Sequence, residues 1–223
     1  MHLNFYNIFQ ILSLFVAIFC YKELKKFSLS FFIPLLFFTC IVEIIATNNR
    51  FFGWKSNYFI YNIYLLVSLP LYLAIYSQMI ELNTKTRIVY VMICLLCESL
   101  IIVNYCFLEG IHVFNSYSLV FTEILQIIFC CLLLIQLAVK EDKQSIYILN
   151  HPYFWINAAT LLFSLGTLVL LGLQKYIALH HVEIDGKSIY RIFLPILNII
   201  LYTSYTYAFI LCKTPHNKTS SLQ

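Results

Sequence analysis

Three glutamates, Glu43, Glu98 and Glu123, lie inside long apolar segments of this 223-residue chain. A charged carboxylate at the centre of a membrane costs about 2.5–3.5 kcal/mol on insertion scales, and such residues commonly mark ligand sites or proton pathways. No lysine or arginine lies in the same segments to neutralise them. Each glutamate is therefore expected to be protonated, to hydrogen-bond a neutral partner, or to line a water-filled cavity.

Amide and tyrosine side chains accompany these glutamates at helical spacing. Glu123 and Gln126 are three residues apart, and Asn198 and Tyr202 are four apart, so each pair shares one face of a helix. Interhelical hydrogen bonds, worth about 0.6 kcal/mol each, are the alternative interpretation for the amides and most of the tyrosines. The candidate ligand-binding residues are Glu43, Asn62, Tyr64, Glu98, Glu123, Gln126, Asn198 and Tyr202.

The composition indicates that lipid, and not water, surrounds most of the chain. Hydrophobic residues make up 61% and charged residues 11%, and the mean hydropathy is +0.84. An average soluble domain is about 45–50% apolar and about 25% charged. This balance excludes a soluble enzyme, a nucleic-acid-binding module and a disordered segment.

Seven apolar runs are long enough to cross a membrane as helices, which needs about 20 residues. The predicted spans are Leu3–Tyr21, Ser28–Thr47, Tyr58–Ile80, Ile88–Phe107, Tyr117–Val139, Tyr153–Leu173 and Ile192–Cys212. The runs do not alternate apolar with polar residues, so a β-barrel is not expected. The sequence predicts an all-α bundle of seven transmembrane helices over residues 1–213, followed by a polar tail at 214–223.

The basic residues predict how the bundle is oriented. Nine lysines and arginines lie in the first, third and fifth loops and the tail, and five lie in the second, fourth and sixth loops. Because basic loops stay in the cytoplasm, the N-terminus is expected outside and the C-terminus inside. In this orientation Glu43 and Glu123 lie in the outer half of the membrane and Glu98 lies near its midplane.

Several chemistries lack their required residues. All six histidines lie in loops or tails, so an intramembrane haem or zinc site is not expected. The eight cysteines lie in or at the ends of spans, and the Cys94 and Cys97 pair has no further metal ligand nearby. The seventh span has no lysine for a retinal Schiff base. No metal and no cofactor are therefore predicted.

Four short motifs resemble a family of uncharacterised prokaryotic seven-helix membrane proteins, similar to the membrane sensor regions associated with histidine kinases. The motifs are Glu43 in the second span, Tyr61-Asn62-Ile63-Tyr64, His151-Pro152-Tyr153-Phe154-Trp155-Ile156 and Asn198-Ile199-Ile200-Leu201-Tyr202. The resemblance implies a sensory role in a prokaryotic cytoplasmic (inner) membrane. Because this chain has no kinase domain, a signal would have to pass to a separate cytoplasmic protein.

The predicted function is a membrane sensor with an outward-facing polar cavity for a small polar or cationic ligand. Two alternatives remain open at this stage. One is an intramembrane lipid hydrolase that uses paired glutamates, and the other is a small-solute or proton-coupled transporter. The expected partners are the lipid bilayer, this ligand and the signalling protein, with no nucleic acid.

Overall fold

Helices dominate the fold, and one short hairpin accompanies them in the part of the chain that the structure describes. The structure is a computed structural model that describes residues 4–54, 56–80, 82–110, 113–144, 148–173, 179–180, 183–184 and 187–213. The helices are α1 (Phe5–Phe19), α2 (Tyr21–Lys26), α3 (Phe32–Thr47), α4 (Tyr58–Met79), α5 (Thr84–Val103), α6 (Ser116–Gln144), α7 (Pro152–Gly172) and α8 (Tyr190–Leu211). Two-residue strands β1 (Glu183–Ile184) and β2 (Lys187–Ser188) form the antiparallel hairpin before α8. The predicted tail at 214–223 lies outside the described residues.

Each of the seven predicted segments contains one long helix, but the helices differ in length. Five of them, α4 to α8, are long and apolar enough to cross a membrane. Helices α1 and α3 have 15 and 16 residues, fewer than the predicted spans, because turns replace helix at their cytoplasm-predicted ends. A turn at Cys20 separates α1 from α2, and Ser28, with a positive φ of 56°, lies in the turn that precedes α3.

Side chains are distributed as expected for a protein surrounded by lipid. On α1 the buried face carries Asn7, Gln10 and Ser13, each 1% exposed or less, whereas Phe5 and Phe19 are 68% and 78% exposed. Polar residues are also buried on α7, where they are Asn157, Thr160, Ser164 and Thr167. In water such large exposed apolar surfaces would be unfavourable, whereas in lipid the polar groups belong inside the bundle. Together with the five long apolar helices, this distribution describes an integral membrane protein.

Six helices close into a ring. Helix α6 packs on α7, α7 on α8, α8 on α1, α1 on α3, α3 on α4, and α4 returns to α6. Helix α5 packs mainly on α4 and lies outside this ring. A π-helical turn, Asn104–Leu108, extends α5 towards the loop that precedes α6.

Candidate functional site

A cavity of about 380 Å³ lies at the centre of the ring. All six ring helices contribute described residues to its wall, and α5 contributes none of them. The lining residues come from the beginnings of α1, α4, α6 and α8 and from the ends of α3 and α7, so the cavity lies towards one end of the bundle. This is the end that the basic residues predict to face outwards.

Glu43, near the end of α3, is held on one side of this cavity by tyrosines. The Tyr6 hydroxyl on α1 donates a hydrogen bond to Glu43 Oε2 over 2.9 Å. The Tyr61 hydroxyl on α4 also interacts with the Glu43 carboxyl group. Because these contacts come from both neighbouring helices, Glu43 links α1, α3 and α4 in the wall of the cavity.

Glu123 lies on α6, separated from Glu43 in the ring by α4, and its described side-chain partner is the Ser164 hydroxyl on α7. It is 5% exposed, and its Oε2 has no hydrogen-bond partner among the described residues. Thr167 Oγ1 on α7 also lines the cavity without a described partner. One helical turn away, Gln126 Oε1 accepts a hydrogen bond from the Ser164 hydroxyl over 3.2 Å. A buried carboxylate oxygen without a donor is uncommon in folded proteins and calls for a partner.

Tyrosines form the wall between the two glutamates. Tyr64 is close enough to both Glu43 and Glu123 to interact electrostatically with each, and its hydroxyl interacts with Thr39 and Tyr72. Its ring stacks on Phe38, with the centroids 6.0 Å apart. At the base, Tyr202 accepts a hydrogen bond from Gln10 over 3.4 Å. The cavity therefore combines acidic groups with aromatic faces, and no histidine, lysine or arginine is among its described lining residues.

The structure brings six of the eight candidate residues to this cavity. The lining includes Glu43, Tyr64, Glu123, Gln126, Asn198 and Tyr202. Asn198 is half-buried there, and its amide donates to the carbonyl oxygen of Leu194 one turn earlier on α8. A role of these residues in ligand binding remains a prediction.

Asn62 has a structural contact and is not among the cavity-lining residues. Its side chain is 1% exposed, its Nδ2 donates to the Val113 carbonyl over 2.8 Å, and its Oδ1 accepts from the Asn115 backbone N–H over 3.0 Å. The amide thus fastens the segment that leads into α6 to the second turn of α4. Both ends of the amide are used within the protein.

Glu98 is separated from the other two glutamates. It is half-buried on α5, outside the ring, and it lines a different crevice between α4 and α5. Its Oε2 also lacks a hydrogen-bond partner among the described residues. Whether the three glutamates share one cavity depends on helix packing, which the spacing of residues along one helix does not determine.

Sequence reasoning missed the contribution of α1 and α7. Tyr6 and Thr167 line the cavity, and neither was a candidate. A signal was available on α1, since Tyr6, Asn7, Gln10 and Ser13 follow helical spacing within an apolar segment. Polar residues at this spacing indicate the face of a membrane helix that packs against other helices.

The motif that begins at His151 forms the start of α7. His151 Nδ1 accepts a hydrogen bond from the Tyr153 backbone N–H, and Pro152 occupies the first helical turn, where its missing N–H has no cost. The Tyr153 hydroxyl donates to the Phe27 carbonyl, and Trp155 Nε1 donates to the Leu149 carbonyl. These contacts position α7 and leave the cavity to other residues.

Comparison with family models, curated protein sequences and solved structures found no match to this chain. Within the described residues, no group of three or more His, Cys, Asp or Glu side chains could hold a metal ion. The cavity with its two glutamates is therefore the feature from which function can be inferred.

Proposed function

We propose that this protein is a membrane sensor whose central cavity binds a small organic ammonium ion. The protein would cross a prokaryotic cytoplasmic membrane seven times, with α1 and α3 as its two shorter spans. The basic loops favour an outside N-terminus, so that the cavity opens away from the cytoplasm. The single observation that carries the proposal is the buried Glu123 oxygen without a donor in a cavity that also contains Glu43.

The lining chemistry favours a cation over an anion or a neutral polar solute. Two carboxyl groups lie in the wall, and the described lining contains no basic side chain to neutralise them. A protonated amine supplies the N–H donors that Glu123 Oε2 lacks, and its charge is attracted by tyrosine ring faces. The apolar remainder of the wall suits a hydrocarbon body, and a volume of about 380 Å³ limits the ligand to a small molecule.

Helix α4 would transmit ligand binding from the cavity to the outside of the bundle. The outer part of this helix, with Tyr61, Tyr64 and Ser68, lines the cavity, and Pro70 follows within the same helix. Proline removes the backbone N–H that would bond the Leu66 carbonyl, so α4 can bend there. Because α5 packs mainly on α4, a ligand-dependent bend would move α5. Helix α5 is then the natural contact for a separate signalling protein.

Binding can be measured as thermal stabilisation of the purified protein in detergent by phenethylamine. The uncharged alcohol 2-phenylethanol has nearly the same shape and serves as the matched ligand control. We expect the amine to raise Tm by about 5 °C at a hundredfold excess over Kd, and the alcohol to have little effect. Glu123→Gln and Glu43→Gln should each remove most of the amine-dependent shift, because they remove the charge that the amine neutralises.

Glu98→Gln is the matched protein control, since it makes the same substitution at a glutamate that lies outside the cavity. This variant should retain the amine-dependent shift. An equal response to the amine and the alcohol, or an equal loss in all three variants, would contradict the ammonium site. Amine accumulation in proteoliposomes would favour a transporter over a sensor. Turnover of lipid by the purified protein would favour the paired-glutamate hydrolase.

A further inference from the structure

A crevice of about 1040 Å³ separates α4 from α5 outside the ring. Its apolar wall includes Leu73, Ala74, Val91 and Leu95, and the Tyr90 hydroxyl joins the two helices by donating to the Leu73 carbonyl over 2.6 Å. The polar lining residues at its end are Ser28, Ser77, Gln78, Asn83 and Arg87. The crevice therefore has an apolar body between a polar, basic end and Glu98.

The polar end has features that suit a phosphate group. Arg87 is exposed and lines the crevice in the first turn of α5. Asn83 caps this helix by accepting a hydrogen bond from the Thr86 N–H over 2.9 Å. Arg87 thus lies at the N-terminal end of the 20-residue α5, and the N-terminal end of a helix favours anions. Its guanidinium group can also bind two phosphate oxygens at once.

The length of the crevice matches one leaflet of a membrane. Arg87 and Glu98 both line it and are eleven residues apart on α5, which corresponds to about 16 Å along a helix. Half of the hydrocarbon thickness of a typical bilayer is about 15 Å. With Arg87 at the headgroup level, the apolar wall spans the depth of one set of acyl chains and Glu98 lies near the midplane.

We propose that the crevice between α4 and α5 binds one anionic glycerophospholipid. Its phosphate lies against Arg87 and the start of α5, and an acyl chain lies along Leu73, Ala74, Val91 and Leu95. The lipid fills the space between α4 and α5, the long helix that lies outside the ring. This inference does not depend on the amine proposal, because it concerns different residues in a different part of the molecule.

The test is a Tm measurement of delipidated protein in detergent with added phosphatidylglycerol or phosphatidylcholine. We expect phosphatidylglycerol to raise Tm by about 5 °C at saturation, and phosphatidylcholine to raise it by less than half as much. Arg87→Gln should abolish this difference. Lys85→Gln is the matched control, because it removes an equal charge from the same helical turn outside the crevice lining, and it should preserve the difference.

A second pair of variants tests the apolar wall. Ala74→Phe places a ring in the crevice and should reduce stabilisation by both lipids, whereas Leu96→Phe, at an exposed position of α5 outside the lining, should not. Inorganic phosphate should stabilise no variant, which distinguishes a lipid from a free anion. Native mass spectrometry should show one retained lipid per chain in the wild type and in Leu96→Phe.

Several results would overturn the lipid site. They are equal stabilisation by the two lipids, equal effects of Arg87→Gln and Lys85→Gln, or stabilisation by inorganic phosphate alone. A wild-type dimer that Ala74→Phe dissociates would assign the crevice to a second copy of this chain. If Ala74→Phe does not fold, the comparison of Arg87→Gln with Lys85→Gln still decides the headgroup site.

Discussion

The two glutamates of the central cavity differ in how the protein supports them. Glu43 accepts a hydrogen bond from Tyr6 and lies beside Tyr61, whereas Glu123 Oε2 has no described donor. Two tyrosine hydroxyls hold the Glu43 carboxyl group, whereas Glu123 interacts with the Ser164 hydroxyl and its Oε2 stays available to a ligand. Glu43→Gln is therefore expected to disturb both stability and amine binding, and Glu123→Gln mainly binding.

Asn62 illustrates the opposite case of an amide that is fully used within the protein. Asn62→Ala removes the partners of the Val113 carbonyl and of the buried Asn115 N–H. We expect a loss of about 2–3 kcal/mol in the free energy of unfolding, because two backbone groups lose their bonds. Unfolding in a detergent or denaturant titration measures this loss.

Asn198→Ala is the control for that prediction. Asn198 is half-buried and bonds a carbonyl of its own helix, so its removal should cost less than about 1 kcal/mol. If Asn62→Ala proves as stable as Asn198→Ala, water has replaced the contacts of Asn62 and the segment before α6 does not depend on it.

At the scale of the elements, α7 is joined to its neighbours by small and polar residues. Thr160 and Tyr205 share a hydrogen bond of 2.7 Å across α7 and α8, and Ser164 bonds Gln126 across α7 and α6. Gly166 allows close approach to α8, since a Cβ there would lie 2.6 Å from Leu197 Cδ1. Such close packing through small residues is how helices associate where lipid supplies no hydrophobic drive.

Gly166 and Gly172 are therefore expected to respond differently to substitution. Gly166→Ile forces α7 and α8 apart or distorts Leu197, and overpacking of this kind costs about 1–3 kcal/mol. Gly166→Ala should be milder, because the flexible end of the Leu197 side chain can move aside. Gly172→Ala meets no atom within 4 Å and should be neutral or gain up to about 1 kcal/mol from helix propensity. Thermal unfolding of the three variants measures the order of their stabilities. Equal losses of stability at both positions would exclude a close contact at Gly166.

At the scale of the whole molecule, a closed ring of six helices surrounds the cavity while α5 lies outside it. All six ring helices contribute to the wall of the cavity, and α5 packs mainly on α4. The cavity and the crevice between α4 and α5 have different lining residues, so the two proposed sites can be altered independently. In the ring, the start of α1, the end of α3 and the start of α8 lie on the same side of the bundle.

The proposed topology predicts where the end of the chain lies. A green fluorescent protein fused after Gln223 should fluoresce, and alkaline phosphatase at the same position should be inactive, because the tail is expected in the cytoplasm. Exchanging Lys22, Lys25 and Lys26 for glutamine should weaken this orientation, since the first loop carries three of the basic residues. An active phosphatase fusion in the unaltered protein would contradict the orientation and the outward opening of the cavity.

The sequence by itself determined that lipid surrounds most of this protein, where its long helices lie, and which residues supply most of the polar groups of its cavity. These properties follow from composition and from periodicity along a single helix, which need no knowledge of neighbours. Only the tertiary structure decided that α5 lies outside the ring, that Glu98 therefore leaves the other glutamates, and that Asn62 holds a loop. Each of these depends on which helices pack together, and contacts between segments distant in the chain are not encoded in local spacing.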